Sequence, residues 1–314
     1  MISVVTAYYN RKKLFTRTLK SMKSNFGKID FEVIVVDDGS DEPERLEDLI
    51  VDFPFLKVIR LEKENKWYKN PCIPFNIGFE AVKGDKVIIQ NPECYHFDNI
   101  IDYVDKNLQD NEYLSFGCFS LDKINTDNDE LIFDEKNINN LIAKNNKTFV
   151  KNGDLGWYNH SLYRPEAYHF CAAMTRNDLY DLGGFDERYA KGVGYDDDDF
   201  IWRIKAKKMR INFIDKCIVL HQNHYNYSED KVQAEVVLKQ IIESYKRNKI
   251  IFEEITQKSN LYKVNYLGES YENGSASTID FNYTQEFNKL LNPILKSNLK
   301  KKISYHILKF VSKF

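Results

Sequence analysis

No run of apolar residues in the chain approaches the roughly 18 that a membrane-spanning helix needs, and Met1 is followed directly by Ile2-Ser3-Val4-Val5-Thr6 rather than by a basic and then apolar leader. The expectation is a protein neither secreted through a signal peptide nor threaded through a bilayer. Cysteine is sparse: Cys72, Cys94, Cys118, Cys171 and Cys217 make five, scattered and without a CxxC pair. An odd, unpaired set excludes a disulfide framework and a thiolate zinc site, and fits reduced thiols in a cytoplasmic compartment. Charge of one sign is also lacking, because 45 Lys plus Arg stand against 47 Asp plus Glu, a formal net charge of -2. No overall basic surface is available for nucleic acid. Six histidines are few, so one that falls beside a carboxylate gains interest. What the chain does have is 43% hydrophobic and 29% charged residues over 314 positions, enough for one large domain with an appendage or two modest domains sharing a core.

The first third repeats one pattern: a short β-branched run, a turn rich in Asp, Gly or Asn, then a segment with helical spacing. That alternation marks parallel βαβ units. Runs 2–6, 32–36, 57–61 and 86–90 are the expected strands of one sheet. Leu14, Phe15, Leu19 and Met22 recur at helical spacing after the first, and Leu46, Leu49 and Ile50 mark a short helix after the second. Residues 74–82 read as a helix before Gly84-Asp85 turns the chain into the fourth strand. Over 124–152 the composition shifts to Asn, Asp and Lys with few apolar residues, which reads as a surface excursion rather than a core element. Patterning resumes at 168–175, followed by a helix over 200–208 behind an acidic run and a strand over 212–220. Residues 227–248 form an amphipathic helix pattern, with Val232, Val236, Val237, Ile241, Ile242 and Tyr245 on one side. Residues 260–284 are polar and irregular. From Lys289 onward there is no Asp or Glu, and Lys296, Lys300, Lys301, Lys302, Lys309 and Lys313 accompany Leu299, Ile303, Ile307, Phe310, Val311 and Phe314 at helical spacing. Such a basic amphipathic tail is expected to lie in a membrane interface rather than to span it; a helix packed on the main domain, or a partner-binding tail, is the alternative.

Ligands of parallel α/β sheets bind at the carboxyl ends of the strands. Those ends here are Ala7-Tyr8-Tyr9-Asn10, Asp37-Asp38-Gly39-Ser40 and Asn91-Pro92-Glu93-Cys94-Tyr95-His96. Each alone is an ordinary turn composition. At successive strand ends they point to one crevice. Downstream, Gly183-Gly184-Phe185-Asp186-Glu187 and Gly192-Val193-Gly194-Tyr195 lead into four aspartates, Asp196 to Asp199. An acidic run opening a helix is favoured by the dipole and can be a solvated patch. Crowded carboxylates also repel, which raises at least one pKa toward general-base range. Finally, His221-Gln222-Asn223-His224 follows a strand, where a lone histidine is ordinarily structural; paired with Glu93 it becomes a candidate ligand for manganese or magnesium, completed by diphosphate oxygens.

The TAYYN opening (6–10), the VDDGS turn (36–40) and the strand before Asn91-Pro92-Glu93 resemble glycosyltransferase family 2 of the GT-A fold. PFNIGF (74–79) is similar to the Asn-x-Gly-Phe helix of the β-1,4-galactosyltransferases, and 173–204 to their segment ending in Gly-Trp-Gly-Gly-Glu-Asp-Asp-Asp. The resemblance covers 2–225. It implies an α/β GT-A fold with a mostly parallel central sheet flanked by helices: a catalytic domain over 1–225, with a nucleotide-sugar half at 1–123 and an acceptor and catalytic half at 154–225, then a C-terminal helical extension over 226–314.

The activity it implies is inverting transfer of a hexose from a UDP-linked nucleotide sugar to a carbohydrate or lipid-linked saccharide, in surface polysaccharide or glycolipid synthesis. The basic tail would then make the enzyme peripheral on the inner face of the cell membrane. Thr6, Ala7 and Tyr8 with Asp37 or Asp38 are implied to hold the nucleoside, and Asn76 and Asn91 to contact the donor. Asn91-Pro92-Glu93 stands in place of an Asp-x-Asp metal motif, so Glu93 and His221 become the implied ligands of Mn2+ or Mg2+. Asp196 takes the place of a glutamate, Asp197 of the catalytic base and Asp198 of an acceptor-binding aspartate.

Two departures stand out. Asn91 is an uncharged, weaker ligand, and Phe75 replaces an arginine near the base, leaving Lys69 to reach the nucleotide. Trp157, in Gly156-Trp157-Tyr158-Asn159-His160, is expected on the acceptor side of the cleft, with core packing as the plainer alternative. A sugar-nucleotide nucleotidyltransferase would open with a Gly-rich loop, which TAYYNRKK lacks. A non-catalytic carbohydrate-binding protein is the other alternative, motivated by 14% aromatic residues.

Overall fold

The computed structural model describes residues 1–146, 153–225, 231–258 and 261–265, with the side chains of 231–239 and 258 outside that description. The four β-branched runs become β1 (Ile2–Tyr8), β2 (Phe31–Asp37), β3 (Leu56–Arg60) and β4 (Lys86–Gln90). They pair in parallel in the order β3-β2-β1-β4. Alternation decides their faces. Val4, Val33, Val35 and Ile88 point into one core with Phe15, Leu19 and Met22 of α1 (Lys12–Met22), whereas Val5, Ile34, Val87 and Ile89 join Cys72, Phe75 and Phe79 of α2 (Cys72–Glu80) in the other. Gly78 lets α2 lie on β1, since a Cβ there would meet Val5 Cγ1 at 2.5 Å. The expected helix at Leu46 is instead two turns of 3-10 helix, Glu42–Glu44 and Glu47–Ile50; Leu46 and Leu49 are buried but Ile50 is exposed.

Beyond β4 the sheet is mixed. β5 (Cys94–His96), α3 (Ile100–Asn107) and β6 (Glu112–Ser120) follow, then β7 (Gly156–Asn159), β8 (Cys171–Thr175) and β9 (Arg210–His221). β8 runs antiparallel to both β4 and β6, β6 pairs in parallel with β9, and β5 and β7 are antiparallel partners of β9 and β6. The polar excursion also differs from expectation. Its described part folds into α4 (Lys123–Asp127), α5 (Asp129–Ile132) and α6 (Glu135–Lys144), with Asp122, Asn128 and Asp134 as side-chain N-caps. The Asp and Asn content is thus capping chemistry. Ile132 and Ile138 close a small core with Phe119, Leu121, Trp157, Ile218 and Leu220.

α7 (Arg176–Leu182) and α8 (Asp196–Ala206) complete the second core, so the acidic run is the first turn of α8 rather than its prelude. α9 (Lys231–Lys258) extends further than its pattern predicts, and packs Ile251 and Ile255 on Tyr189 and Tyr195. Val232, Val236 and Val237 fall outside the described side chains, and the basic tail lies outside the described residues altogether. Asn248 of α9 donates to the carbonyls of Tyr189 (3.0 Å) and Gly194 (2.9 Å). Residues 261–265 return to the end of α7: Val264 N–H donates to Leu182 O at 3.1 Å, and Asn265 to the carbonyls of Gly183 and Phe185. Gly183 caps α7 at φ 77°, where a Cβ would fall 1.4 Å from Val264 O. Among the described residues no helix is long and apolar enough to cross a membrane. All five cysteines are buried and free.

Candidate active site

The ends of β1 and β2 lie side by side, Tyr8 paired with Asp37. Asp38 N–H donates to Tyr8 O at 2.8 Å, which binds the two tips together. Asp37 is fully buried, taking Ser40 N–H at 2.9 Å and Arg60 Nη1 at 2.8 Å, so it shapes the turn. Asp38 is half-buried, accepting from the Tyr68 hydroxyl and pairing with Lys66, both at 2.5 Å. The Lys66 ammonium sits 5.4 Å from the Tyr9 ring and 5.5 Å from that of Tyr68. A carboxylate framed by aromatic rings suits a planar heterocycle bearing an N–H. Of the β1 residues expected at the donor, Ala7 is half-buried and Tyr8 gives its hydroxyl to Glu44 O at 2.7 Å. Thr6 is buried with an Oγ1 that has no hydrogen-bond partner.

The end of β4 carries Glu93, held 1% exposed against the end of β9. Its Oε1 lies 3.1 Å from His221 Nε2 and 3.3 Å from His224 Nε2, and Arg11 Nη1 approaches its Oε2 at 2.8 Å. Burial alone would raise the Glu93 carboxyl. The charge of Arg11 and the hydrogen bonds from the His221 and His224 imidazoles outweigh it and hold the group well below the usual carboxylate range. Burial pushes His224 down to about 4, so near neutral pH its imidazole is the ligand-competent form. One carboxylate and two imidazoles with ligand atoms within 4.8 Å of one another are a donor set that fits a divalent transition ion, Mn2+ better than oxygen-preferring Mg2+. His224 was not among the expected ligands; its spacing of three from His221 was the available signal. Asn91 stays at the strand tip, its N–H donating to Phe170 O at 3.1 Å.

The first turn of α8 carries four aspartates, which divide by burial. Asp199 is fully buried against Arg203 (2.7 Å), and Asp196 is buried with Asn70 Nδ2 at 2.8 Å. Burial raises both carboxyls to about 6, aided at Asp196 by the charge of Asp197 and opposed at Asp199 by Arg203. Asp197 and Asp198 are the half-buried pair. Asp197 makes an ion-pair contact with His169, whose ring is packed by Phe75 (5.1 Å) and Phe185 (4.8 Å). Asp198 accepts from the Tyr168 hydroxyl at 2.6 Å.

The two groups meet through three consecutive residues. Tyr168 reaches Asp198, His169 reaches Asp197, and Phe170 accepts from Asn91 N–H and sets its ring 5.9 Å from that of His221. Antiparallel pairing of Gln90 with Cys171 fixes that register. Neither Tyr168 nor His169 was singled out by sequence reasoning, because each matters only through residues distant in the chain.

Other expected contacts are placed differently. Trp157, expected on the acceptor side of the cleft, is 4% exposed, donates Nε1–H to Asn146 and stands edge-on to Phe119, so both its body and its polar handle are used inside the protein. Asn76 gives its amide to Phe185 O (2.8 Å) and Glu187 (3.0 Å) and accepts from Phe185 N–H (2.9 Å), so it ties α2 to the glycine turn ahead of α8. Lys69 turns its ammonium to Ser244 of α9 at 3.3 Å.

Comparison with known proteins bears on this geometry. The model of glycosyl transferase family 2 matches residues 3–174, and that of the N-terminal domain of galactosyltransferase matches 166–227. Chondroitin synthase of Escherichia coli is 33% identical over 88 residues, a stretch that is 28% of this chain but 12% of that protein, so the chain spans a small part of the curated relative's length. Among solved structures, S. aureus TarS 1–349 in complex with UDP-GlcNAc aligns with a TM-score of 0.48 and 17% identity, over 96% of this chain and 77% of that one. Mannosyltransferase PcManGT from Pyrobaculum calidifontis, in complex with GDP-Man and Mn2+, aligns with a TM-score of 0.46 and 13% identity, over 99% and 84%. With the first family match covering more than half of the 314 residues, the protein is a glycosyltransferase of GT-A fold, and the chain belongs to glycosyl transferase family 2.

Proposed function

We propose that this glycosyltransferase moves a hexose from a UDP-linked donor to a carbohydrate hydroxyl with inversion, and that Asp197 is the general base. The observation that carries this reading is the span Tyr168-His169-Phe170, which sets the outward aspartates of α8 against the Glu93 cluster. The nucleoside end of the donor lies at Asp38 and Tyr68, where a carboxylate can accept the imide N–H of uracil. Glu93, His221 and His224 are the residues that would hold Mn2+, which when bound supplies positive charge against the departing diphosphate. The acceptor oxygen attacks the anomeric carbon from the face opposite the diphosphate. As that C–O bond forms, the bond to the phosphate oxygen breaks with its electron pair, and the hydroxyl proton passes to Asp197. His169 orients that carboxylate, and Asp198 with Tyr168 orients the acceptor. The basic tail beyond Lys289 would keep the enzyme beside a lipid-linked acceptor at a membrane surface.

The test is Asp197→Asn assayed with UDP-sugars on a saccharide acceptor, with the anomeric configuration of the product read by NMR. The variant should fold and bind UDP, and lose about 10²- to 10⁴-fold in turnover. Unchanged turnover, or a product that keeps the donor's configuration, refutes the assignment.

A further inference from the structure

Three arginines are buried among the described residues, and two of them are fully employed. Arg203 holds Asp199 and two carbonyls, while Arg17 pairs with Asp129 and donates to Thr126 O. Arg164, 5% exposed, is different: among the described residues its guanidinium makes no ion pair and no hydrogen bond. Its contact is instead with the ring of Tyr158, whose centroid lies 5.7 Å from Cζ. A cation over a ring gains about 0.5–2 kcal/mol, whereas taking an ion out of water costs several, so the ring alone does not account for the burial. The acid held against this loop, Asp215, is already occupied by the N–H (3.1 Å) and hydroxyl of Ser161. Buried polar groups are ordinarily bonded, and one that is not calls for a partner.

The loop presents this side chain on a fixed backbone. Arg164 exchanges both of its main-chain groups with His160 at 3.0 Å, and Glu166 N–H donates to its carbonyl at 2.9 Å. His160 and Tyr163 pack in turn on Trp157. Tyr158 is 1% exposed, stacks on Phe170 at 5.4 Å and stands edge-on to His221 at 4.8 Å. Phe170 follows His169, the partner of Asp197. Arg164 is therefore one aromatic ring away from both ends of the proposed catalytic centre. Its planar fork matches the two oxygens of a carboxylate, and its single charge balances a carboxylate but not a phosphate monoester of about −1.5 to −2. A hexose carries a carboxylate when its C6 is oxidised, as a hexuronic acid.

We propose that Arg164 pairs with the carboxylate of a hexuronic acid, so that one of the two sugars joined by this enzyme is a uronate, supplied either by the donor or by the acceptor. This rests on the transfer reading above.

Calorimetry on the full chain with Mn2+ separates the two sources. One arm compares UDP-glucuronate with UDP-glucose; the other compares methyl β-glucuronide with methyl β-glucoside in the presence of UDP. The wild type should favour the acid in at least one arm by about 10- to 100-fold, as expected for a charge-assisted pair. Arg164→Met should erase that preference by weakening the acid, and Arg164→Lys, which keeps the charge and loses the fork, should restore part of it. Without ligand, Arg164→Met should melt at the wild-type temperature or above, because no ion pair is lost and an uncompensated charge is removed. A lowered melting temperature with acid and neutral partner weakened alike marks a structural arginine and overturns the proposal. Equal binding of acid and neutral partner by the wild type in both arms, or a preference that survives Arg164→Met, also overturns it, while binding of UDP-glucose leaves the donor reading intact. A wild-type protein that binds neither UDP nor either UDP-sugar overturns both.

Discussion

Arg203→Met tests how the acidic turn of α8 is held. Arg203 has no exposed surface, donates Nε to Asp199 at 2.7 Å, and gives Nη1 and Nη2 to the carbonyls of Leu182 (3.0 Å) and Gly184 (2.8 Å). Methionine fills much of the same space and supplies no donor, so a buried carboxyl and two backbone carbonyls lose their partner. Breaking one side of a buried ion pair costs about 3–5 kcal/mol, and the two carbonyls push the figure toward the upper end. At about 2–4 °C per kcal/mol, a loss of about 4 kcal/mol lowers the melting temperature by roughly 8–16 °C. The pH dependence has a definite sign. Burial raises the Asp199 carboxyl to about 6, so the folded chain keeps a proton that the unfolded chain has released, and stability falls as pH rises from the ordinary carboxylate range through that value. Removing Arg203 takes away the charge that opposes the rise. The deficit of the variant is therefore larger at pH 8 than at pH 5, as thermal unfolding followed by circular dichroism will read. A loss below about 1 kcal/mol, or the same loss at both pH values, would refute the buried-pair account. Adding Asp199→Leu to the variant should recover much of the stability, because an apolar pair of similar volume can replace a buried ion pair.

Trp157→Ala should behave as a core truncation, costing about 3–5 kcal/mol in denaturant unfolding with the acceptor KM unchanged in the folded fraction; a raised acceptor KM at unchanged stability would restore the sugar-contact expectation. Asn248→Ala removes the bonds that hold Tyr189 and Gly194 and should cost about 1–3 kcal/mol, with faster amide exchange over the turn preceding α8. Exchange confined to α9 would show that this helix does not brace the turn.

Strands β1, β2 and β4 were legible because each carries a β-branched run between turn residues, which is how strands buried on both faces read, whereas β3 at the sheet edge is only partly buried and showed through Val58 and Ile59. β6 escaped notice for a physical reason: Glu112-Tyr113-Leu114-Ser115-Phe116-Gly117-Cys118-Phe119-Ser120 is buried throughout, yet its small and polar residues hide the run. Asn159, for example, places its amide on Ser115 Oγ and Phe116 O, so the polarity of β6 is satisfied across the sheet and invisible along the chain. The acidic run advertised itself by composition, but which two of its four aspartates face inward is decided by Arg203 and Asn70. Asn76 was noticed for its motif, while its use of both amide ends on the glycine turn appears only once α2 has been placed. Glu93 and His221 are far apart in sequence and were joined as a carboxylate and an imidazole at two strand ends, a pairing the resemblance repeats; His224 and His169 needed the sheet register to bring them in.

The span Tyr168-His169-Phe170 also bears on how such a chain tolerates insertion and deletion. Its three side chains point to three different partners, and the strand that follows is locked by pairing on both sides, Ala172 with Ile89 and with Ser115. One residue gained or lost there would send His169 where Tyr168 or Phe170 belongs and separate Asp197 from the Glu93 cluster in a single event. Its length is thereby fixed, which makes this stretch a ruler between the two halves of the proposed catalytic centre.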